Sequence, residues 1–90
     1  MLSADALTRF LRDAVPLPPD MHLKVVDWGS GMRVGLLDGM GLGCRHLRFA
    51  VGDPRRFDAN RGAALQELVD KTVRAMLALC EYPERFSDGP

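Results

Sequence analysis

The chain has 90 residues, which is enough for one domain with a modest hydrophobic core. Its 12 basic and 12 acidic side chains cancel, which excludes the overall positive charge that drives non-specific nucleic-acid binding. Two cysteines are too few for a disulfide scaffold, so we expect free, buried thiols in a cytoplasmic protein. No apolar run approaches the ~20 residues of a membrane span and no signal peptide is recognisable, so no membrane role is expected.

The first predicted element is an amphipathic helix that starts after Ser3. The Ser3 hydroxyl can accept a hydrogen bond from a free amide of the first turn, which makes this residue the predicted N-cap. Apolar residues then recur at spacings of three and four, and they form a face of Leu7, Phe10, Leu11, Ala14 and Val15. Pro16, Pro18 and Pro19 end the helix and predict an extended connector.

Three short segments of alternating apolar and polar residues follow, and each predicts a β-strand. The first covers residues 21–28, and a Gly-Ser-Gly turn joins it to the second, over residues 32–37. A glycine-rich connection at residues 39–43 leads to the third, over residues 46–51. The apolar face of the resulting sheet consists of Met21, Leu23, Val25, Met32, Val34, Leu36, Leu47, Phe49 and Val51.

The last predicted element is a long helix that begins at Asp58 or Asn60, either of which can act as its N-cap, and ends at Cys80. Its apolar stripe consists of Leu65, Leu68, Val69, Thr72, Val73, Met76, Leu77 and Cys80. We expect opposite charges four residues apart, such as Glu67 and Lys71, to pair on its solvent side. Residues 83–90 are predicted to form a mobile tail.

These elements predict a single α+β domain over residues 1–82, with the order α-β-β-β-α. The strands form a three-stranded antiparallel meander, and two helices pack on one face of it, the apolar face. An antiparallel sheet tolerates water on its second face, so we expect that face to stay uncovered.

The element order and the length are similar to those of the double-stranded-RNA-binding domain. Such domains hold RNA largely through lysines at the start of their second helix. The matching stretch here, residues 58–64, contains Arg61 and no lysine. The resemblance therefore implies a topology and brings no RNA-binding residues with it.

The uncovered face of the sheet is the candidate functional surface. Besides His22, the alternation directs to it the residues that we predict to contact a partner: Lys24, Val26, Trp28, Arg33, Leu37, His46 and Arg48. This set is cationic and holds no carboxylate, although the whole chain is neutral. Two other interpretations stay open: a solvated face whose cations prevent aggregation, and a surface that stacks bases and holds phosphates. For Trp28, a place in the core is the alternative to a partner contact.

A second candidate site lies just before the last helix, where Arg55, Arg56 and Arg61 cluster. Free backbone amides and the helix dipole favour an anion at such a place, so the cluster predicts an anion-binding site. In the alternative interpretation, Arg55 and Arg56 pair with Asp53 and Asp58 in a solvated turn.

Motifs for catalysis or cofactor binding are not recognisable in the sequence. The Gly39-x-Gly41-x-Gly43 run leads into a strand, so it lacks the helix N-terminus that a nucleotide-binding loop needs. Cys44 and His46 do not have the spacing of a zinc site, and no oxyanion hole accompanies the thiol. We therefore expect no enzymatic activity, no cofactor and no metal.

The sequence thus predicts a small non-enzymatic interaction domain of the regulatory, adaptor or inhibitor type. Its predicted partner is another protein or a second copy in a homodimer, because 47% of the residues are apolar and a short chain buries little surface by itself. The alternative function is nucleic-acid binding, through the cationic sheet face or the Arg-rich turn before the last helix.

Overall fold

A computed structural model describes residues 2–29, 31–39, 45–53 and 55–82. The elements in chain order are α1 (Ala4–Ala14), β1 (Met21–Asp27), β2 (Met32–Asp38), β3 (Arg45–Ala50), α2 (Arg55–Ala59) and α3 (Arg61–Glu81). The predicted α+β class and the predicted order of the main elements are confirmed. Part of the predicted hairpin turn, most of the glycine-rich connection with Cys44, and the predicted tail lie outside the described residues.

Helix α1 begins as predicted, because the Ser3 side chain accepts a hydrogen bond from the Ala6 amide at 3.1 Å. Its buried face differs from the prediction: Phe10 is 37% exposed and Ala14 is exposed, whereas Thr8 is buried. At about 100° per residue, the buried arc runs through Leu7, Leu11 and Thr8. Phe10 lies outside that arc, so the buried face of α1 is rotated away from Phe10 and toward Thr8 relative to the predicted face.

The three strands form one antiparallel sheet in the order β1-β2-β3, with two rows of apolar side chains on its inner face. These rows are Leu23–Leu36–Leu47 and Val25–Val34–Phe49. Between β1 and β2 the chain turns tightly, and the Trp28 amide donates to the Gly31 carbonyl at 3.0 Å. Gly29 has φ +81° in this turn, a conformation that glycine adopts without a Cβ clash.

Helix α3 completes the core with a stripe of buried residues: Ala64, Leu68, Thr72, Met76 and Leu79. It contacts β2, β3 and α1, so both long helices lie on the inner face of the sheet. Two residues of the predicted stripe, Leu77 and Cys80, are exposed, and Leu79 is fully buried in their place. The buried residues recur every four positions from Ala64 to Met76, which rotates Leu77 to the far side of the helix.

The short helix α2 lies in a segment that the sequence predicts to be a turn, and this prediction is wrong. Phe57 anchors α2 in the core with 5% exposure. Asp53 precedes the helix, and its Oδ1 accepts from the Arg55 amide at 3.0 Å. Asn60 then occupies the N-cap position of α3, as one of the two predictions had it, but its side chain makes no capping hydrogen bond.

Candidate partner-binding surface

The strand register brings the predicted partner-contact residues of the three strands onto one surface. Three rows cross the sheet on the side away from the helices: His22–Leu37–His46, Lys24–Gly35–Arg48 and Val26–Arg33–Ala50. We call these nine residues the outer face. No helix covers it within the described ranges, so the sequence-based expectation of an uncovered second face is confirmed there.

Exposed apolar side chains lie among the cations of the outer face. Val26 is 40% exposed and Leu37 is 39% exposed, whereas the apolar residues on the inner side of β1 and β2 are buried. Trp28 follows β1 and is 64% exposed, so the alternative that placed it in the core is wrong. Together with Arg33 and Arg48, Val26 and Trp28 line a shallow pocket of about 120 Å³.

Gly35 gives the outer face a concave centre. It lies between Lys24 and Arg48 in the middle row and has no side chain to fill the space above the sheet. The resulting depression measures about 350 Å³ and is bordered by Leu37, the Lys24 and Arg48 side chains and residues of the neighbouring rows. A Cβ added at Gly35 would meet its nearest atom, the Lys24 carbonyl oxygen, at 3.6 Å. The fold therefore has room for a side chain here.

Positive charge is concentrated on this surface. Its ionisable side chains are two histidines, one lysine and two arginines, and none of the nine outer-face residues carries a carboxylate. Asp27 and Asp38, the acidic residues of β1 and β2, belong to the alternating positions of the inner side of the sheet. Asp38 pairs there with Arg45 at 3.0 Å, and Asp27 accepts from the Gly29 amide at 2.9 Å. The neutral chain thus has a locally cationic face.

The free edge of β1 is closed by α1 and by the segment that follows it. The Val25 amide donates to the Thr8 hydroxyl at 2.9 Å. The Arg12 Nε donates to the Leu23 carbonyl at 3.0 Å. The Met21 amide donates to the Pro18 carbonyl at 3.0 Å. The Thr8 and Arg12 contacts join residues that are 17 and 11 positions apart in the chain, so no local sequence pattern indicates them.

Within the described residues, the free edge of β3 is more open than that of β1. The Val51 amide donates to the Met32 carbonyl at 2.9 Å, so the odd-numbered backbone groups of β3 face β2. The backbone groups of Arg48 and Ala50 therefore face outward. Lys71 reaches the Ala50 carbonyl at 3.4 Å, but no residue of the described ranges bonds to the N–H or the carbonyl of Arg48.

The predicted anion-binding cluster is largely engaged in ion pairs. Arg55 pairs with Asp53 at 2.8 Å, which confirms the alternative interpretation for this residue. Arg56 pairs with Glu67, a partner that the sequence interpretation did not name. Hydrogen bonds from these guanidinium groups hold the pKa of both carboxyls, Asp53 and Glu67, below their usual values. Anion binding here stays a prediction, with two of its three arginines already paired.

Other candidate chemistry is sparse in the part of the chain that the structure describes. Cys80 is free but exposed, so the expectation of a buried thiol is wrong for this residue. The described residues contain no group of three or more metal-ligating side chains. Nor does any described helix combine the length and the apolar character that crossing a bilayer requires.

Comparison with known proteins adds no further residues to this surface. The chain matches no protein-family model, no curated protein and no solved structure. Inference about its function therefore rests on the outer face itself.

Proposed function

We propose that the chain is a non-enzymatic interaction domain that binds an acidic surface of another protein through the outer face. The single observation that carries this proposal is the outer face, which no described helix covers and whose nine residues combine exposed apolar side chains and cations without a carboxylate. A regulatory, adaptor or inhibitory role is consistent with such a domain, because binding alone is sufficient for it.

The two kinds of side chain have different parts in this proposal. Burial of Val26, Leu37 and Trp28 removes apolar surface from water, which supplies affinity. Tryptophan is enriched among the residues that dominate binding energy at protein interfaces. Lys24, Arg48 and the other cations attract an acidic partner and disfavour a basic one, so they supply association rate and specificity.

Charge argues against a homodimer through this face. A two-fold contact uses the same surface of both copies, so the cations of one outer face would meet the cations of the other. Like charges placed against each other across an interface are unfavourable. An acidic heterologous partner is therefore the better match to the outer face than a second copy.

Nucleic-acid binding is the second candidate function, and the cationic outer face is the observation in its favour. A phosphate backbone matches this charge, and Trp28 is exposed for stacking. Against it, apolar Val26 and Leu37 interrupt the cations, and Arg55 and Arg56 are already ion-paired. Fluorescence anisotropy with labelled single-stranded RNA and duplex DNA at low salt separates the two functions. Saturable binding that weakens with salt and with Lys24→Ala plus Arg48→Ala would favour nucleic acid.

The direct test of the protein-binding proposal is photo-crosslinking in the cells that naturally produce the protein, with the photo-reactive residue placed at one of two alternative positions. A photo-reactive amino acid at Leu37 reports on the outer face, and the matched control carries it at Ala63, an exposed position of α3. We expect a covalent adduct with an acidic protein from the Leu37 position and not from the Ala63 position. Absence of a Leu37-specific adduct would refute protein binding through this face.

A further inference from the structure

We infer that the outer edge of β3 accepts an extended acidic segment of the partner as a fourth strand of the sheet. This inference rests on the proposed protein-binding function and specifies the conformation and the chemistry of the partner. Addition of a strand to an exposed sheet edge is a recurring mode of peptide recognition, in which main-chain hydrogen bonds supply much of the affinity.

The first argument is the difference between the two sheet edges. Three hydrogen bonds, to Thr8, Arg12 and Pro18, occupy outward-facing groups of β1. On β3, the Arg48 N–H and carbonyl have no partner in the described ranges, and the Ala50 carbonyl has only the long 3.4 Å contact from the exposed Lys71 ammonium. Among the described residues, an incoming strand therefore meets unpaired backbone groups at β3 and a closed edge at β1.

The second argument is the chemistry on either side of the β3 edge. On the inner side, Leu47 and Phe49 are only partly buried at the border of the core, and Lys71 lies over the Phe49 ring at 5.8 Å. An apolar side chain of an added strand would extend the core beside them. On the outer side Arg48 is exposed, so the alternating residues of the added strand would be acidic.

The third argument excludes a second copy as the preferred occupant. Antiparallel two-fold pairing of two β3 strands, centred on residue 47, 48 or 49, places the two Arg48 side chains directly or diagonally opposite each other. Like charges opposite each other destabilise a strand pair. A segment with alternating acidic and apolar residues removes this repulsion and replaces it with attraction.

The test uses a capped peptide of about eight residues with alternating Glu and Val, which is long enough to pair with the six residues of β3. Binding to the full chain is followed by NMR and by amide hydrogen exchange. We expect the Arg48 and Ala50 amides to become protected, while the Val25 amide, which already donates to Thr8, stays unchanged. A peptide with alternating Lys and Val should bind at least about tenfold more weakly.

A matched pair of variants separates the contribution of the edge hydrogen bonds to peptide binding from the contribution of charge. Ala50→Pro removes an outward-facing N–H and places the proline ring where the added strand must approach, yet it breaks no bond to β2. Ala50→Val keeps the N–H. We expect about tenfold weaker peptide binding for Ala50→Pro and wild-type binding for Ala50→Val. If Ala50→Pro does not fold, the same result is expected from wild-type protein with a peptide that is N-methylated on its β3-facing amides.

The inference would be overturned by an absence of peptide binding or by equal peptide binding to Ala50→Pro and Ala50→Val. Protection of the β3 edge by a second copy or by RNA would also overturn it. Peptide-induced shifts confined to Val26, Leu37 and their neighbours would also overturn it, but they would leave the proposed function intact. Absence of a Leu37-specific crosslink in cells, when the outer face is otherwise unchanged, would instead refute the proposed function. The two failures are therefore distinguishable.

Discussion

At the scale of single residues, two polar side chains of α1 have a structural role that their sequence positions do not indicate. Thr8 and Arg12 satisfy outward-facing backbone groups of β1 across 17 and 11 residues of chain. A buried amide without a partner is costly, so these contacts are part of how the sheet edge is stabilised. The same residues prevent strand addition on the β1 side.

Thr8→Val is predicted to destabilise the fold although it preserves size and shape. The substitution leaves the Val25 amide without its acceptor in an environment where Val25 is 2% exposed. The expected loss is about 1–3 kcal/mol of unfolding free energy, measured by urea denaturation. Thr8→Ser keeps the hydroxyl and should retain slow exchange of the Val25 amide. Equal exchange rates of this amide in wild type and Thr8→Val would contradict the assigned hydrogen bond.

The ion pair between Arg56 and Glu67 predicts a pH dependence with a definite sign. The pair lowers the pKa of Glu67 in the folded state, mainly by hydrogen bonding. Its stabilisation is therefore present above the unfolded-state pKa and is lost as pH falls through the folded-state pKa. In Arg56→Gln, the NMR titration midpoint of the Glu67 carboxyl should rise toward its ordinary value. The control Arg55→Gln should raise the midpoint of Asp53 instead; an unchanged Glu67 midpoint in Arg56→Gln would contradict the assignment.

At the scale of elements, β2 determines the shape of the candidate site. It is the central strand, and its Gly35 leaves the depression between Lys24 and Arg48. Glycine in a strand costs about 0.5–1 kcal/mol of stability relative to alanine. Because a Cβ at this position fits without a clash, folding does not require glycine here.

Gly35→Val is accordingly predicted to keep or increase stability while it blocks the partner. The valine side chain would fill part of the concave centre and would suit a strand interior. We expect an equal or higher midpoint in urea and loss of the Leu37 photo-crosslink. Gly62→Ala is the matched control, because it also fills open space, on α3, and should leave the crosslink intact. A Gly35→Val protein that crosslinks like wild type would show that the depression is not part of the site.

The elements also show what the sequence could predict. Strand alternation has a period of two residues, so the pattern from Met21 to Phe49 was sufficient to assign the inner and outer faces. Helix faces were less accurate, since an error of one residue rotates the face by about 100° and misplaced Phe10 and Leu77. The sequence does not predict helix α2, because Phe57 is the one buried residue of its five and a single apolar residue makes no helical pattern. The closed β1 edge depends on contacts across 11 and 17 residues, which no local pattern contains.

At the scale of the whole molecule, charge is segregated on a chain whose formal net charge is zero. The cations of the sheet lie on the outer face and at the β3 edge. Its acidic residues, Asp27 and Asp38, occupy inner-side positions at the ends of β1 and β2. This arrangement disfavours contact between two outer faces. We therefore predict a monomer by light scattering at low salt, and a dimer that Lys24→Glu dissociates would contradict this prediction.

The most direct measurement of the central claim is the yield of the Leu37 photo-crosslink in cells when charge is reversed at selected positions. The outer-face variant carries Lys24→Glu and Arg48→Glu, and the control carries Arg9→Glu and Arg74→Glu on exposed positions of α1 and α3. An acidic partner predicts that the outer-face variant loses the adduct, whereas the control keeps it. Equal adduct yields from the two variants would contradict recognition of an acidic protein through the outer face.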